Sequence, residues 1–217
     1  MVYDHYPGDK NQYPEGTPDE FPFPKQDFQK YSEGEVITTS KAKNPTDPLM
    51  ATSGVLTCKS FNGGKTGFTS THNFRMLANP VDSASQKLVR YTDTRTSFFG
   101  CVNKWHDGLP AWSGLHIFAR YQTEDDLYVA SWRVDGNVTI KKKVNDKYST
   151  LRSVKYGSPE VGSEHLMIFQ VEGDLLSYYI DGKLVAQAKD SDLKWGTAGI
   201  RTDYSDCYID YFKINSV

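Results

Sequence analysis

Between Leu115 and Lys143 the chain carries His116, Arg120, Ser131, Arg133, Lys141 and Lys143 at spacings that read as three consecutive β-strands. Pairing the first two strands around Glu124-Asp125-Asp126, with Ala119 opposite Ala130, sets His116 opposite Arg133; the Asp135-Gly136 turn then brings Ile140 opposite Trp132. Successive side chains of a strand point to opposite faces. Leu115, Ile117, Ala119, Ala130 and Trp132 therefore make an apolar, core-facing side, and His116, Phe118, Arg120, Val129, Ser131, Arg133, Thr139, Lys141 and Lys143 share the other. That second face holds two Arg, two Lys and a His, with no Asp or Glu. Like charges this close are unfavourable unless an anion pairs with them, so the arrangement predicts a groove for an anionic polymer. An acidic polysaccharide fits. Nucleic acid fits less well, because Phe118 is the one aromatic on this face and bases need a set of stacking rings. The plain alternative is a solvated sheet face.

The elements that must position these residues are short and β-prone. From Gly54 onward, apolar runs are broken by turn residues at intervals typical of a sandwich, and no long stretch shows helical periodicity. The spacing predicts strands at 54–58, 65–76, 87–94, 97–104, 113–121, 127–134, 137–144, 164–172, 175–180, 183–188, 196–202 and 207–215, with Asp-Gly hairpins at Asp135-Gly136 and Asp181-Gly182. Residues 1–35 carry Pro7, Pro14, Pro18, Pro22 and Pro24, which exclude a helix or a central strand and predict an extended arm. Residues 36–217 then form one all-β domain, a size at which a sandwich buries a substantial core.

A net charge of -2 in 217 residues gives no global attraction to nucleic acid or membrane, so charge must act locally. No stretch approaches the length of a membrane span, and Met1-Val2-Tyr3-Asp4-His5 lacks the basic start and apolar run of a secretory leader. A monomer is expected, and an acidic polysaccharide as partner makes the expected setting extracellular. Cys58, Cys101 and Cys207 have no metal-ligand spacing and read as buried, inert thiols. Asp190, Asp192, Asp203 and Asp206 lack an ordered calcium-loop signature and read as turn residues, so no cofactor is expected, although a structural calcium ion remains open.

The segments 171–185, 196–201 and 208–214 resemble the closing strands of concanavalin-like jelly-roll domains, two antiparallel sheets packed face to face. Lys104, followed by Ser131-Trp132-Arg133 on a later strand, resembles the Lys and Ser-x-Arg arrangement of jelly-roll polysaccharide lyases of family fourteen, which act on glucuronate polymers and alginate. That family adds a Tyr-x-Tyr pair; here 143–148 offers Tyr148 alone. The resemblance implies β-elimination, which needs the C6 carboxylate neutralised, a base for the C5 proton and an acid for the leaving oxygen. Arg133 suits the carboxylate through its bidentate fork, with Ser131 or Lys141 in support; Arg120 and Lys143 extend the binding face. Tyr148, His116 and Lys104 are the candidates for acid and base. A lectin or carbohydrate-binding module for acidic glycans would use the same face without turnover. A glycoside hydrolase ranks third, since no strand carries the paired carboxylates it requires.

Overall fold

The computed structural model describes the backbone of residues 26–27, 36–37, 49–53, 56–61, 65–70, 74–78 and 91–217, and side chains within 75–78 and 91–217 apart from 210, 211 and 216. The predicted N-terminal arm lies outside these residues except for Gln26–Asp27.

Every regular element among the described residues is a strand. One sheet contains β2 (Val36–Ile37), β4 (Leu56–Phe61), β5 (Lys65–Ser70), β7 (Thr94–Trp105), β12 (His165–Glu172), β13 (Leu175–Ile180), β14 (Lys183–Lys189) and β16 (Ser205–Ser216), in the order β14-β13-β12-β7-β16-β5-β4-β2, with β1 (Gln26–Asp27) paired to β16. The other contains β3 (Leu49–Ser53), β6 (Phe74–Ala78), β8 (Gly114–Thr123), β9 (Asp126–Arg133), β10 (Asn137–Val144), β11 (Lys147–Lys155) and β15 (Thr197–Thr202), in the order β11-β10-β9-β8-β15-β6-β3. All pairings are antiparallel and consecutive strands often join different sheets, which is the jelly-roll sandwich that the sequence predicts.

The core lies between the sheets. Leu115, Ile117, Ala130, Trp132, Val138 and Ile140 point inward from the smaller sheet and meet Phe98, Met167, Phe169, Leu176, Tyr178, Phe212 and Ile214 from the larger. Burial of these alternating apolar residues decides which way the strands β8 to β10 face.

The observed register differs from the predicted one by two residues at both hairpins. Ile117 pairs with Ala130, His116 with Ser131, and Trp132 with Val138. A two-residue slip preserves the alternation, so the assignment of faces survives although the partners change. The predicted strand at 65–76 is two strands, 65–70 and 74–78. Lys147–Lys155 was not predicted as a strand; it pairs with β10 along an edge, and its mostly exposed residues carry little hydrophobic alternation to mark it. The start of the predicted 87–94 strand lies outside the described residues; Tyr91 makes an isolated bridge to Gly196 and Thr94 opens β7. Cys101 and Cys207 are buried, and burial pushes Cys207 up to about 12; the side chain of Cys58 lies outside the described residues.

Candidate functional site

The outer face of the smaller sheet carries a row of polar side chains aligned across five strands. Register places Arg75 of β6 beside Arg201 of β15, Arg201 beside His116 of β8, His116 beside Ser131 of β9, and Ser131 beside Thr139 of β10. A second row runs parallel to it, with Phe118 beside Val129 and Val129 beside Lys141. Lys143 and Tyr148 face each other across β10 and β11, the ammonium 5.4 Å from the ring centre. These residues, with Arg133 and Trp112, line one open cavity of about 410 Å³. From β6 to β11 it crosses five interstrand spacings, about 24 Å, a length suited to a chain ligand.

An outer sheet face is ordinarily wet, yet this one is nearly dry at its floor. His116 is 6% exposed, Ser131 4% and Thr139 2%. The apolar second row explains the dryness, since Phe118 and Val129 cluster with Leu77, Tyr121 and Leu127 on this side of the sheet. Polar groups in such a place must find partners or pay for their lost hydration. His116 Nδ1 lies 2.7 Å from Ser131 Oγ, and its Nε2 lies 3.1 Å from the carboxylate of the fully buried Asp203, which accepts from Arg201 Nε at 2.7 Å. Burial lowers the pKa of His116, helped by Arg201 and Arg133 and opposed by Asp203, so the imidazole is neutral at pH 7. Burial alone would raise Asp203; the facing His116 and the Arg201 guanidinium bring it down to about 2. With Asp203 ionised, Nε2 carries the imidazole proton and Nδ1 accepts from the serine hydroxyl.

The cations of the groove are compensated from outside the three-strand face. Arg133 pairs with Asp135 at 2.7 Å, Lys143 with Asp125 at 3.1 Å and Asp146 at 2.7 Å, and Arg75 with Glu124 at 3.4 Å. Burial opposes the charge on Lys143, but Asp146 and Asp125 carry its pKa above the ordinary value. The expectation of an uncompensated basic cluster is corrected accordingly: turns at 124–126, 135 and 146 supply acids that alternation within the strands does not reveal. Two lining groups stand apart. Lys141 has no hydrogen bond or ion pair among the described residues; burial and then Arg133 lower its pKa, against a smaller opposing pull from Asp135. Thr139 Oγ1 is buried with no hydrogen-bond partner there. Among the described residues, the cavity lining includes five Arg or Lys side chains and no carboxylate.

His116, Ser131, Arg133, Lys141, Lys143 and Tyr148 thus come together in one cavity. Two other residues singled out in the sequence do not. Arg120 leaves the face because a bulge in β8 turns its backbone to φ 47°. Its guanidinium is buried and donates to the carbonyls of Thr92 and Leu193 and to Asp93, fastening loops on the core side of the groove wall. Gly196 lets β15 approach that bulge, since a Cβ there would sit 2.3 Å from the Arg120 carbonyl carbon. Lys104 is exposed on β7 of the opposite sheet, outside the cavity. Asp190 and Asp192 hold Lys142, whereas Asp203 serves His116 and Arg201 and Asp206 faces His106. The four aspartates therefore serve three separate places: Asp190 and Asp192 share Lys142, while Asp203 and Asp206 each stand elsewhere.

Arg75, Arg201 and Trp112 were missed by sequence reasoning. Both arginines alternate with core residues, Met76 and Ile200, and that alternation was the available signal. Trp112 forms the rim, 36% exposed, with the Arg201 guanidinium 5.3 Å from its ring centre.

No family model matches the chain, and no curated protein does. Solved structures share its fold. Carbohydrate-binding module CBM66 from Bacillus subtilis superposes with a TM-score of 0.60 at 18% identity, over 78% of this chain and 96% of the module. A Bacillus subtilis protein of unknown function with a galectin-like fold gives 0.56 at 12% identity, over 86% and 98%. The carbohydrate recognition domain of Emp47p gives 0.52 at 10% identity, over 78% and 89%. At these identities the likeness is one of fold, a jelly-roll that these proteins share.

Proposed function

We propose that the chain is a carbohydrate-binding domain whose groove holds an acidic glycan across the smaller sheet. The observation that carries this reading is Lys141, a partly buried ammonium in the cavity lining that makes no ion pair among the described residues, Asp135 acting on it only from a distance while paired to Arg133. Paying to desolvate a cation without a partner is worthwhile where a ligand brings the anion. Thr139 adds a buried hydroxyl in want of a partner, and the neutral His116–Ser131 pair suits sugar hydroxyls. Apolar ground beside them, Phe118 and Val129, suits the C–H faces of sugar rings. Two of the fold neighbours, a carbohydrate-binding module and a carbohydrate recognition domain, support the same class of ligand.

Elimination of a uronate polymer, as in polysaccharide lyases of family fourteen, is the second reading. It is favoured by Arg133, His116 and Tyr148 lining one cavity, but Lys104 lies on the other sheet and the imidazole faces Ser131 and Asp203. Affinity electrophoresis through gels containing polyglucuronate, alginate or a neutral glucan tests the binding. Retardation by a uronate polymer alone is expected, and equal mobility in all gels contradicts it. Ultraviolet absorbance of unsaturated uronate in the same mixtures reports elimination, and its appearance would make the second reading the correct one.

A further inference from the structure

The groove floor holds an arrangement that ligand binding does not require. Ser131 Oγ, His116 and the Asp203 carboxylate follow one another at 2.7 and 3.1 Å, and Arg201 donates at 2.7 Å to the same Asp203 oxygen that His116 faces. Strand pairing fixes the order, since His116 and Ser131 are directly opposed on β8 and β9. The serine lines the cavity and the aspartate is fully buried behind it. A hydroxyl, a neutral imidazole that accepts its proton and an ionised carboxylate that orients the imidazole are the parts of an activated nucleophile, recognised by role and not by position in the chain. The ring is used in the less common sense, with Nδ1 toward the serine. Nε2 stands 3.1 Å from the Asp203 carboxylate without meeting hydrogen-bond geometry, and catalytic contacts of this kind often align only when substrate is bound. Positive charge for an oxyanion is at hand in Arg133 and Lys141, which line the same cavity.

We propose that Ser131 and His116, positioned by Asp203, hydrolyse O-acyl esters on the glycan that the groove binds. The substrate class rests on the glycan-binding reading; the acyl transfer rests on the relay itself. Glycosidic hydrolysis is disfavoured because the described lining offers no carboxylate pair, whereas a serine–imidazole pair is suited to the ester bonds a decorated sugar carries. Ser131 Oγ bonds to the ester carbonyl carbon as its proton passes to His116 Nδ1. The carbonyl–oxygen bond to the sugar then breaks, and the sugar oxygen takes that proton. Water attacks the acyl-serine, gives a proton to His116, and the acid departs as Ser131 recovers its hydrogen. Atoms balance with water as the one co-reactant.

The test uses the whole chain. A fluorophosphonate probe should leave a covalent adduct mapped by mass spectrometry to Ser131, and acetate should be released from an acetylated uronate polymer. Ser131→Ala and His116→Ala should each lower that release by about 10²-fold or more. Asp203→Asn, which presents the imidazole with a donor where it needs an acceptor, should lower kcat with KM unchanged. Binding of the unacetylated polymer by the unaltered chain, measured alongside, reports on glycan binding by itself. Intact polymer binding with no adduct at Ser131 and no acetate release overturns the proposal, as does acetate release that Ser131→Ala retains.

Discussion

Lys141 and Lys143 lie two residues apart on one strand and face the same groove, yet Lys143 is held by Asp125 and Asp146 while Lys141 meets no carboxylate among the described residues. Lys143 lies near the end of β10, beside the turns that carry Asp125 and Asp146, whereas Lys141 sits two residues further into the strand. One lysine is therefore wall and the other is anchor.

Lys141→Ala should weaken binding of a uronate oligosaccharide by about tenfold or more, the worth of one charge-assisted hydrogen bond, with thermal stability unchanged. Lys143→Ala should lower the thermal midpoint more than it lowers affinity. Titration calorimetry and thermal unfolding of the two variants check this, and equal losses of affinity would contradict the division of roles.

Arg120→Ala should destabilise the fold by about 3 kcal/mol, because it strips a buried guanidinium from Asp93 and two backbone carbonyls. At this chain length that is a fall of several degrees in Tm. Affinity for the uronate oligosaccharide should persist, since Arg120 lies outside the cavity lining.

Acid should loosen the fold through His116. The folded chain holds this imidazole neutral, while in the unfolded chain it titrates near 6.5. Below that pH the unfolded state binds the extra proton, so stability falls as pH drops, by at most about 1.4 kcal/mol per unit. Urea unfolding between pH 7 and 5 should show a shallower dependence for His116→Gln than for the unaltered chain. Identical slopes would mean that His116 is not held neutral.

The groove was legible in the sequence where its strands are consecutive. Hairpin registry and alternation place His116, Ser131, Lys141 and Lys143 on one face, and the face is robust because the register error was an even number of residues. Arg120 broke the rule because a bulge was not visible from alternation, and Asp203, which does lie in the turn between β15 and β16, gave no sign that its carboxylate is buried against His116. Arg75 and Arg201 required the pairing of β15 with β6 and β8, strands brought together from distant parts of the chain. Local patterns cannot specify such contacts. Lys104 came from a resemblance whose geometry this sandwich does not reproduce, since β7 belongs to the other sheet.

The central claim is the location and character of the binding face, and amide chemical-shift mapping during titration with a uronate oligosaccharide tests it most directly. Saturable shifts at His116, Ser131, Thr139, Lys141 and Arg201, absent with a neutral oligosaccharide of equal length, are the predicted result. Shifts centred on the larger sheet around Lys104, or none with any uronate, would contradict it.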